Sequence, residues 1–171
     1  MASLPGFAEI VHMYQSMVYS LAYHSLENRS LAEELTQDVF LSLHQHLGQL
    51  ESIEHVRYWL RRTAANRCID EVRRGKFRNG PGLYQVAEPS TADRFADPLL
   101  SRQLSESLAA LPPTARVVTI LRYQEEMEPQ EIAEALQLPV ATVKSRLHRA
   151  LGMLRAKMQR KESACKTSKY S

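Results

Sequence analysis

The chain has 171 residues, of which 44% are hydrophobic and 24% charged, and these proportions exclude an intrinsically disordered protein. No stretch approaches the roughly 18 uninterrupted apolar residues of a membrane span, and residues 1–7 lack the basic start of a signal peptide. We therefore expect a folded protein that stays in the cytoplasm and has one ordinary domain or two small ones.

The two cysteines are compatible with a reduced compartment. Cys68 and Cys165 form no CxxC pair, so they predict neither a disulfide framework nor a zinc site. Cys68 is either a redox sensor or a small half-buried residue, and we favour the second interpretation.

The net charge of +3 conceals four segments of alternating sign. Residues 1–56 carry a net charge of −6 and residues 57–78 a net charge of +6. Residues 79–139 then carry −5 and residues 140–171 carry +8. Two separate basic blocks indicate two anion-binding surfaces, for which a polyanion long enough to touch both is the natural partner.

Strand signals are scarce, and apolar residues recur at helical spacing, so the sequence predicts an all-α fold. A first helix of about twenty residues begins at Phe7. The second is predicted to start with Ser30 as its N-cap and to end near Gly48. The third is predicted to start with Ser52 as its N-cap and to stop near Gly75.

Residues 75–98 contain three of the six glycines and three of the eight prolines, without sustained periodicity. This composition predicts a flexible linker between two small helical domains. We assign the three-helix N-terminal domain to 1–75 and the linker to 76–98. The C-terminal domain is assigned to 99–161, and the polar tail 162–171 is predicted to be disordered.

In the C-terminal half, helices are predicted around 99–110 and through 117–123. Pro129 suits the first position of a short third helix, which the break at 137–139 ends. A long helix is then predicted over 140–160. A short helix, a three-residue break and a longer basic helix are typical of a helix-turn-helix, whose second helix enters the DNA major groove.

The long helix has the composition of a recognition helix, since residues 140–161 carry seven basic side chains and no acidic one. Ser145, His148 and Arg149 share a face and can reach neighbouring base edges. Lys144, Arg146 and Arg155 suit phosphates better. The alternative is a solvated basic helix. The predicted duplex-contacting residues are Thr142, Lys144, Ser145, Arg146, His148 and Arg149. The predicted inward face comprises Val143, Leu147, Ala150, Leu151 and Leu154.

Three strings in this half resemble region 4 of the extracytoplasmic-function (ECF) sigma factors of the sigma-70 family. They are Ala109-Ala-Leu-Pro-Pro113, Glu131-Ile-Ala-Glu-Ala-Leu136 and Leu138-Pro-Val-Ala-Thr-Val-Lys-Ser-Arg-Leu-His-Arg-Ala150. The resemblance implies that the helix-turn-helix recognises the promoter minus-35 element. Pro139 departs from the family, which usually carries a capping Ser or a similar residue there.

The N-terminal half resembles the same family. Ala32-Glu-Glu-Leu-Thr-Gln-Asp-Val-Phe40 is similar to region 2.2, which in family members binds the clamp helices of RNA polymerase. The resemblance implies that this segment docks on the polymerase, whereas a solvated acidic face is the alternative from spacing alone. The candidate polymerase-binding residues share one helical face and are Glu34, Gln37, Asp38 and Leu41.

Residues 59–74 are similar to regions 2.3 and 2.4, which implies that the third helix holds melted minus-10 DNA. Asn66 occupies the position of a family Asn that helps to receive a flipped base, and the loop 50–56 is expected to complete that pocket. Trp59 is either a stacking platform or a core residue, and its apolar phase favours the core. The candidate minus-10 residues are Arg57, Arg61, Arg62, Asn66, Arg67 and Arg73.

Two further groups of polar side chains suggest chemistry that the sequence does not support. Three histidines lack the i, i+3 or i+4 spacing of helical metal ligands, so we interpret them as surface residues. They are His44, His46 and His55. Three acidic residues occur without a phosphate loop, nucleophile elbow or HExxH motif. They are Glu33, Glu34 and Asp38. We therefore expect no enzyme, no metal site and no cofactor.

The resemblance implies an initiation factor of the ECF type that directs core RNA polymerase to promoters and supports promoter melting. Its expected partners are the clamp helices of the largest polymerase subunit, promoter DNA and an anti-sigma factor, without membrane insertion. Two alternatives remain open at this point: a self-sufficient, dimeric helix-turn-helix regulator, and a protein-interaction adaptor whose basic blocks are incidental.

Overall fold

The structure is a computed structural model that describes residues 4–79 and 98–167, with side chains described over 4–75 and 102–164. All the regular structure in these ranges is helical, and it forms two compact units, one on each side of the undescribed stretch. The prediction of an all-α, two-domain protein is confirmed. No helix among the described residues is long and apolar enough to cross a membrane. Most of the predicted linker 76–98 lies outside the described residues, so the proposed domain boundaries stay predictions.

The N-terminal unit is a three-helix domain. It comprises α1 (Phe7–Leu26), α2 (Arg29–His46), a 3-10 turn (Leu47–Gln49) and α3 (Ile53–Asn79). Each of the three helices contacts the other two. The residues without solvent exposure at their centre are Ile10, Val18, Leu21, Ala22, Ala32, Val39, Leu43, Val56, Leu60, Ala64, Ala65 and Cys68.

The start of α2 differs from the prediction. Its N-cap is Asn28, whose side-chain oxygen accepts a hydrogen bond from the Leu31 amide at 3.0 Å, whereas Ser30 lies inside the first turn. The reason is that Glu27 ends α1 in the left-handed conformation, at φ 52°, and leaves Asn28 extended. Ser52 caps α3 as predicted, since its hydroxyl oxygen accepts from the His55 amide at 3.1 Å.

The end of α3 also differs, because the helix passes through Gly75 and continues to Asn79. A glycine ends a helix by taking the left-handed conformation. Gly75 does not have a positive φ of that kind, and an added Cβ there would meet no atom within 4 Å. The glycine therefore costs some helix propensity without stopping the helix.

The C-terminal unit contains α4 (Pro98–Ala109), α5 (Pro113–Tyr123), α6 (Pro129–Leu136) and α7 (Val140–Thr167). Pro129 occupies the first position of α6, as predicted, and Pro113 does the same for α5. The last helix, α7, contacts each of the other three. The unit is therefore organised around the helix that the sequence predicted to read DNA.

The outer half of α7 corrects the predicted end near Arg160 and the predicted disorder of the tail, since the helix runs to Thr167. Lys157 Nζ donates to the Glu106 carbonyl oxygen, and Lys161 Nζ donates to Glu106 Oε2, each at 2.6 Å. The contact with Lys161 holds the pKa of the Glu106 carboxyl below its usual value. These contacts tie the outer half of α7 to α4, and residues 168–171 lie outside the described residues.

A buried cation joins α4 to α5. Arg116 is only 2% exposed, and its guanidinium donates to three carbonyl oxygens, those of Leu108 at 2.9 Å, Ala109 at 2.7 Å and Leu111 at 3.2 Å. In a continuing helix, residues 112 and 113 would supply donors to the first two carbonyls, but both are prolines and have no N–H. Arg116 supplies the donors that the prolines lack.

Gly152 provides a simple test of helix propensity in α7. It is exposed in the middle of the helix, and an added Cβ would meet nothing within 4 Å. Gly152→Ala is therefore expected to raise the free energy of unfolding by about 0.5–1 kcal/mol, because alanine loses less backbone entropy on folding. Thermal unfolding followed by circular dichroism measures the change, and a lower melting temperature would contradict the expectation.

Candidate nucleic-acid and polymerase interfaces

The turn of the helix-turn-helix is held by main-chain hydrogen bonds. Gln137 takes the left-handed conformation, at φ 53° and ψ 48°, and closes α6. The Leu138 amide donates to the Ala133 carbonyl at 2.9 Å, which completes the usual hydrogen bonding of such a helix end. The Pro139 carbonyl accepts from the amides of residues 142 and 143, at 2.9 and 3.1 Å. The start of α7 is thus fixed without the side-chain cap that Pro139 cannot provide.

The predicted reading face of α7 points away from the core of the C-terminal unit. Lys144, Ser145, His148 and Arg149 are exposed, whereas Thr142 and Arg146 are half-buried. On the opposite side Val143, Leu147 and Ala150 are buried, and Leu151 and Leu154 are half-buried. The first turn of α7 has no acidic residue, so the positive end of the helix dipole stays available to an anion.

Only part of the predicted minus-10 set shares a surface. Arg62, Asn66 and Arg73 follow one another at i, i+4 and i+11 on one face of α3, and the two arginines are exposed. The Asn66 side-chain amide donates to the Arg62 carbonyl oxygen at 2.9 Å. These three residues form the candidate strand surface, a name that we keep for them below.

The other three arginines of that set lie elsewhere on the helix. Arg57 is exposed in the first turns of α3, and Arg61 is half-buried with one guanidinium nitrogen shielded from solvent. Arg67 faces α2, where its Nη1 lies 3.6 Å from Asp38 Oδ2. The six residues therefore do not form one contiguous cationic face.

Trp59 is half-buried, which is less than the core role favoured from its spacing would require. Its ring lies 5.6 Å from the ring of His46, centroid to centroid. His46 also lies within hydrogen-bond distance of the Ser42 carbonyl, 2.8 Å from its Nδ1. The rings of His44 and Phe7 meet edge to face at 4.9 Å. Both histidines therefore make contacts within the N-terminal unit.

The predicted polymerase-binding residues of α2 are all exposed, with Leu41 at 64%. Glu34 and Asp38 also line a groove of about 550 Å³ between α2 and α3. Arg67 and Arg74 lie on the opposite wall of the same groove. The Asp38–Arg67 contact was not predictable from the sequence, because it joins residues on different helices that no local spacing relates.

Cys68 is fully buried rather than half-buried, and burial raises the pKa of its thiol from 9.0 to about 12, against the opposing effect of a hydrogen bond with Ser25. In a Cys165→Ser variant, native Cys68 is therefore expected to resist Ellman's reagent at pH 8 and to react at once in denaturant.

The same shift predicts a pH effect on stability. The unfolded thiol loses its proton from about pH 9, whereas the folded thiol keeps it until about pH 12. Stability from this residue is present below pH 9 and falls as the pH rises through that range. A Cys68→Ala variant should lose less stability than the parent between pH 8 and pH 10, as measured by urea unfolding. An equal loss of stability in the parent and in Cys68→Ala would contradict the raised pKa of the Cys68 thiol.

Comparison with known proteins identifies both units. The Sigma-70 region 2 family matches residues 10–78, and the Sigma-70, region 4 family matches residues 101–154. The ECF RNA polymerase sigma factor SigW of Bacillus subtilis (strain 168) is 31% identical, and the alignment covers 90% of this chain and 89% of SigW. The ECF RNA polymerase sigma factor SigE of Mycolicibacterium smegmatis is 32% identical, and the alignment covers 90% of this chain and 62% of SigE.

Solved structures show the same fold. The sigma factor RpoE of Bartonella quintana, in complex with the anti-sigma factor NepR, is 17% identical with a TM-score of 0.75, and the match covers 90% of this chain and 96% of RpoE. CnrH, in complex with the cytosolic domain of CnrY, is 22% identical with a TM-score of 0.62, covering 90% and 87% of the two chains. Region 2 thus precedes region 4 in this chain, and the fold is that of RpoE and CnrH. The chain belongs to the ECF RNA polymerase sigma factors of the sigma-70 family, which direct transcription initiation.

Proposed function

We propose that this chain recruits core RNA polymerase to its promoters through three contacts: α7 on the minus-35 duplex, α3 on the melted minus-10 strand and α2 on the polymerase clamp helices. The observation that carries the proposal is the helix-turn-helix, whose second helix exposes Lys144, Ser145, His148 and Arg149 on one side. We assign the first contact to 99–161 and the other two to 1–75.

Within the minus-35 contact, we assign base reading to Ser145, His148 and Arg149. Their i, i+3, i+4 spacing sets three side chains over successive base edges of a major groove. Lys144, Arg146 and Thr142 then contact the phosphates on either side, where charge and hydrogen bonding fix the register of the helix.

Within the minus-10 contact, the candidate strand surface has a central role. It extends about 16 Å along α3, because Arg62 and Arg73 are eleven residues apart. Its two exposed arginines can hold the backbone, and Asn66 can hydrogen bond to an unstacked base. We assign Arg57, Arg61 and Arg67 to further backbone contacts from other faces of α3.

The remaining partners follow from the family. We propose that Glu34, Gln37, Asp38 and Leu41 contact the clamp helices, and that the chain acts in the cytoplasm, where the polymerase acts. The solved structure of RpoE contains the anti-sigma factor NepR, and that of CnrH contains the cytosolic domain of CnrY. These complexes support an anti-sigma partner for this chain. Bond making is left to the polymerase, so the chain itself is not an enzyme and needs no cofactor.

Run-off transcription with purified core polymerase and candidate promoter templates tests the proposal. The chain and core together are expected to give a promoter-specific transcript that neither gives alone. If the chain binds the duplex by itself but adds no specific transcript, it is a regulator and the proposal is wrong. As a control, Arg160→Ala removes an exposed cation of α7 that lies outside the assigned surface, and this variant should still give the transcript.

A further inference from the structure

The groove between α2 and α3 brings together two surfaces that the proposed function keeps separate. One wall carries Glu34 and Asp38, assigned to the polymerase, and the other carries Arg67, assigned to the melted strand. The groove has a volume of about 550 Å³. A change on one wall therefore alters the electrostatic surroundings of the other.

Within the groove, Asp38 and Arg67 are in direct contact. Arg67 Nη1 lies 3.6 Å from Asp38 Oδ2, and the two side chains are 39% and 53% exposed. The distance is long for a charge-assisted hydrogen bond, and water reaches both groups, so the pair is weak enough to exchange partners. Glu34 lies on the same wall one turn earlier, and the ion pair of Arg67 is with Asp38 rather than with Glu34.

A carboxylate beside a guanidinium lowers the positive potential that the guanidinium offers to a phosphate. Resting on the proposed function of the two surfaces, we propose that Asp38 couples them. In the free chain the ion pair with Asp38 weakens the interaction of Arg67 with DNA. When a cation of the polymerase pairs with Asp38 instead, Arg67 becomes available to the phosphate backbone of the melted strand.

The coupling is reciprocal by thermodynamic linkage. Polymerase binding raises the affinity for the strand, and strand binding raises the affinity for polymerase by the same factor. An exposed ion pair limits that factor to about twofold to fivefold. A factor of this size favours strand capture after docking without preventing it beforehand.

A double-mutant cycle on the full-length chain tests the first half of the proposal. The probe is a fluorescein-labelled single strand of twenty thymidines at low salt, which tests backbone contacts without a promoter sequence. Asp38→Asn is expected to bind it about twofold to fivefold more tightly than the parent. Arg67→Gln should cost little in the parent and most of that gain in the Asp38→Asn background. Asp38→Glu, which keeps the carboxylate, should behave as the parent.

Glu34→Gln is the matched control, because it removes the same charge from the same wall without breaking the ion pair. Its effect should be additive with Arg67→Gln. If Asp38→Asn and Arg67→Gln are equally additive, only long-range charge is involved and the coupling is refuted. If Arg62→Gln and Arg73→Gln also leave binding unchanged, the strand surface assigned in the proposed function is wrong as well.

The second half is tested by adding saturating core polymerase, with core alone as the background. The parent and Asp38→Asn should then bind the strand equally, because docking has already occupied Asp38. A difference that persists in the presence of core would show that Asp38 is not the residue that docking engages, and would overturn the coupling.

Discussion

Replacing Arg116 with leucine is expected to lower the free energy of unfolding of the C-terminal unit by about 3 kcal/mol or more. The Leu108 carbonyl keeps its hydrogen bond from the Leu111 amide at 3.0 Å, but the Ala109 and Leu111 carbonyls lose the donors of the guanidinium. Each buried unsatisfied group costs roughly 1–3 kcal/mol. Urea unfolding followed by far-ultraviolet circular dichroism measures the loss. The free energy of unfolding of Arg116→Lys should lie between those of the parent and the leucine variant, because one ammonium group cannot contact the three carbonyls as the planar guanidinium does.

Two internal controls accompany this prediction. Trp59 is the only tryptophan and lies in the N-terminal unit, so the midpoint from its fluorescence should not change. Arg122→Leu removes a half-buried arginine from the same helix, with hydrogen bonds of 3.2 Å to the Met127 carbonyl and 3.3 Å to Glu128. It should cost about 1 kcal/mol. Equal losses in the two leucine variants would mean that Arg116 has no special role.

Arg149→Ala is expected to weaken binding to a cognate minus-35 duplex by about 1–3 kcal/mol and to relax the preference at one base position. The reason is that an arginine on the exposed face of a recognition helix can make two hydrogen bonds to one guanine. Competition binding with a set of duplexes, each changed at one position, measures both effects. The experiment requires a promoter identified by run-off transcription.

Lys144→Ala gives the contrasting pattern expected of a phosphate contact. It should weaken binding to all duplexes alike. It should also reduce the slope of the logarithm of the binding constant against the logarithm of the salt concentration by about one. If Arg149→Ala also weakens all duplexes uniformly, Arg149 contacts the backbone, and base reading must be reassigned to Ser145 and His148.

Much of the helical architecture was predictable from local patterns. Pro129 and the 137–139 break defined α6 and its turn, and Ser52 correctly marked the start of α3. The choice between Asn28 and Ser30 was not predictable, because both residue types are good N-caps and the decision rests on where Glu27 turns the chain. The length of α7 was also underestimated, since Glu106 on a distant part of the chain anchors its outer half.

Some features of the candidate sites were likewise predictable from local patterns, whereas others depend on how the helices pack. The exposure of Lys144, Ser145, His148 and Arg149 follows from helical phase, so the sequence predicted it directly. The position of Arg67 depends on how α3 packs against α2, which a single sequence does not specify. No role was predicted for Arg116, although one signal was present in the sequence. Two adjacent prolines after a helix deprive its last carbonyl oxygens of amide donors, and a cation a few residues later can supply donors to these oxygens.

The anchoring of α7 on α4 has a mechanical consequence. Ser145 and Lys161 are sixteen residues apart, which is about 24 Å along the helix axis. Because the first turn of α7 is already held by the Pro139 carbonyl, a second restraint at that distance limits the angle through which the helix can tilt. Glu106 on α4, which contacts α7 far from its reading end, therefore helps to fix the orientation of the reading side chains. Removing this contact would weaken sequence discrimination although every assigned contact to a base is kept.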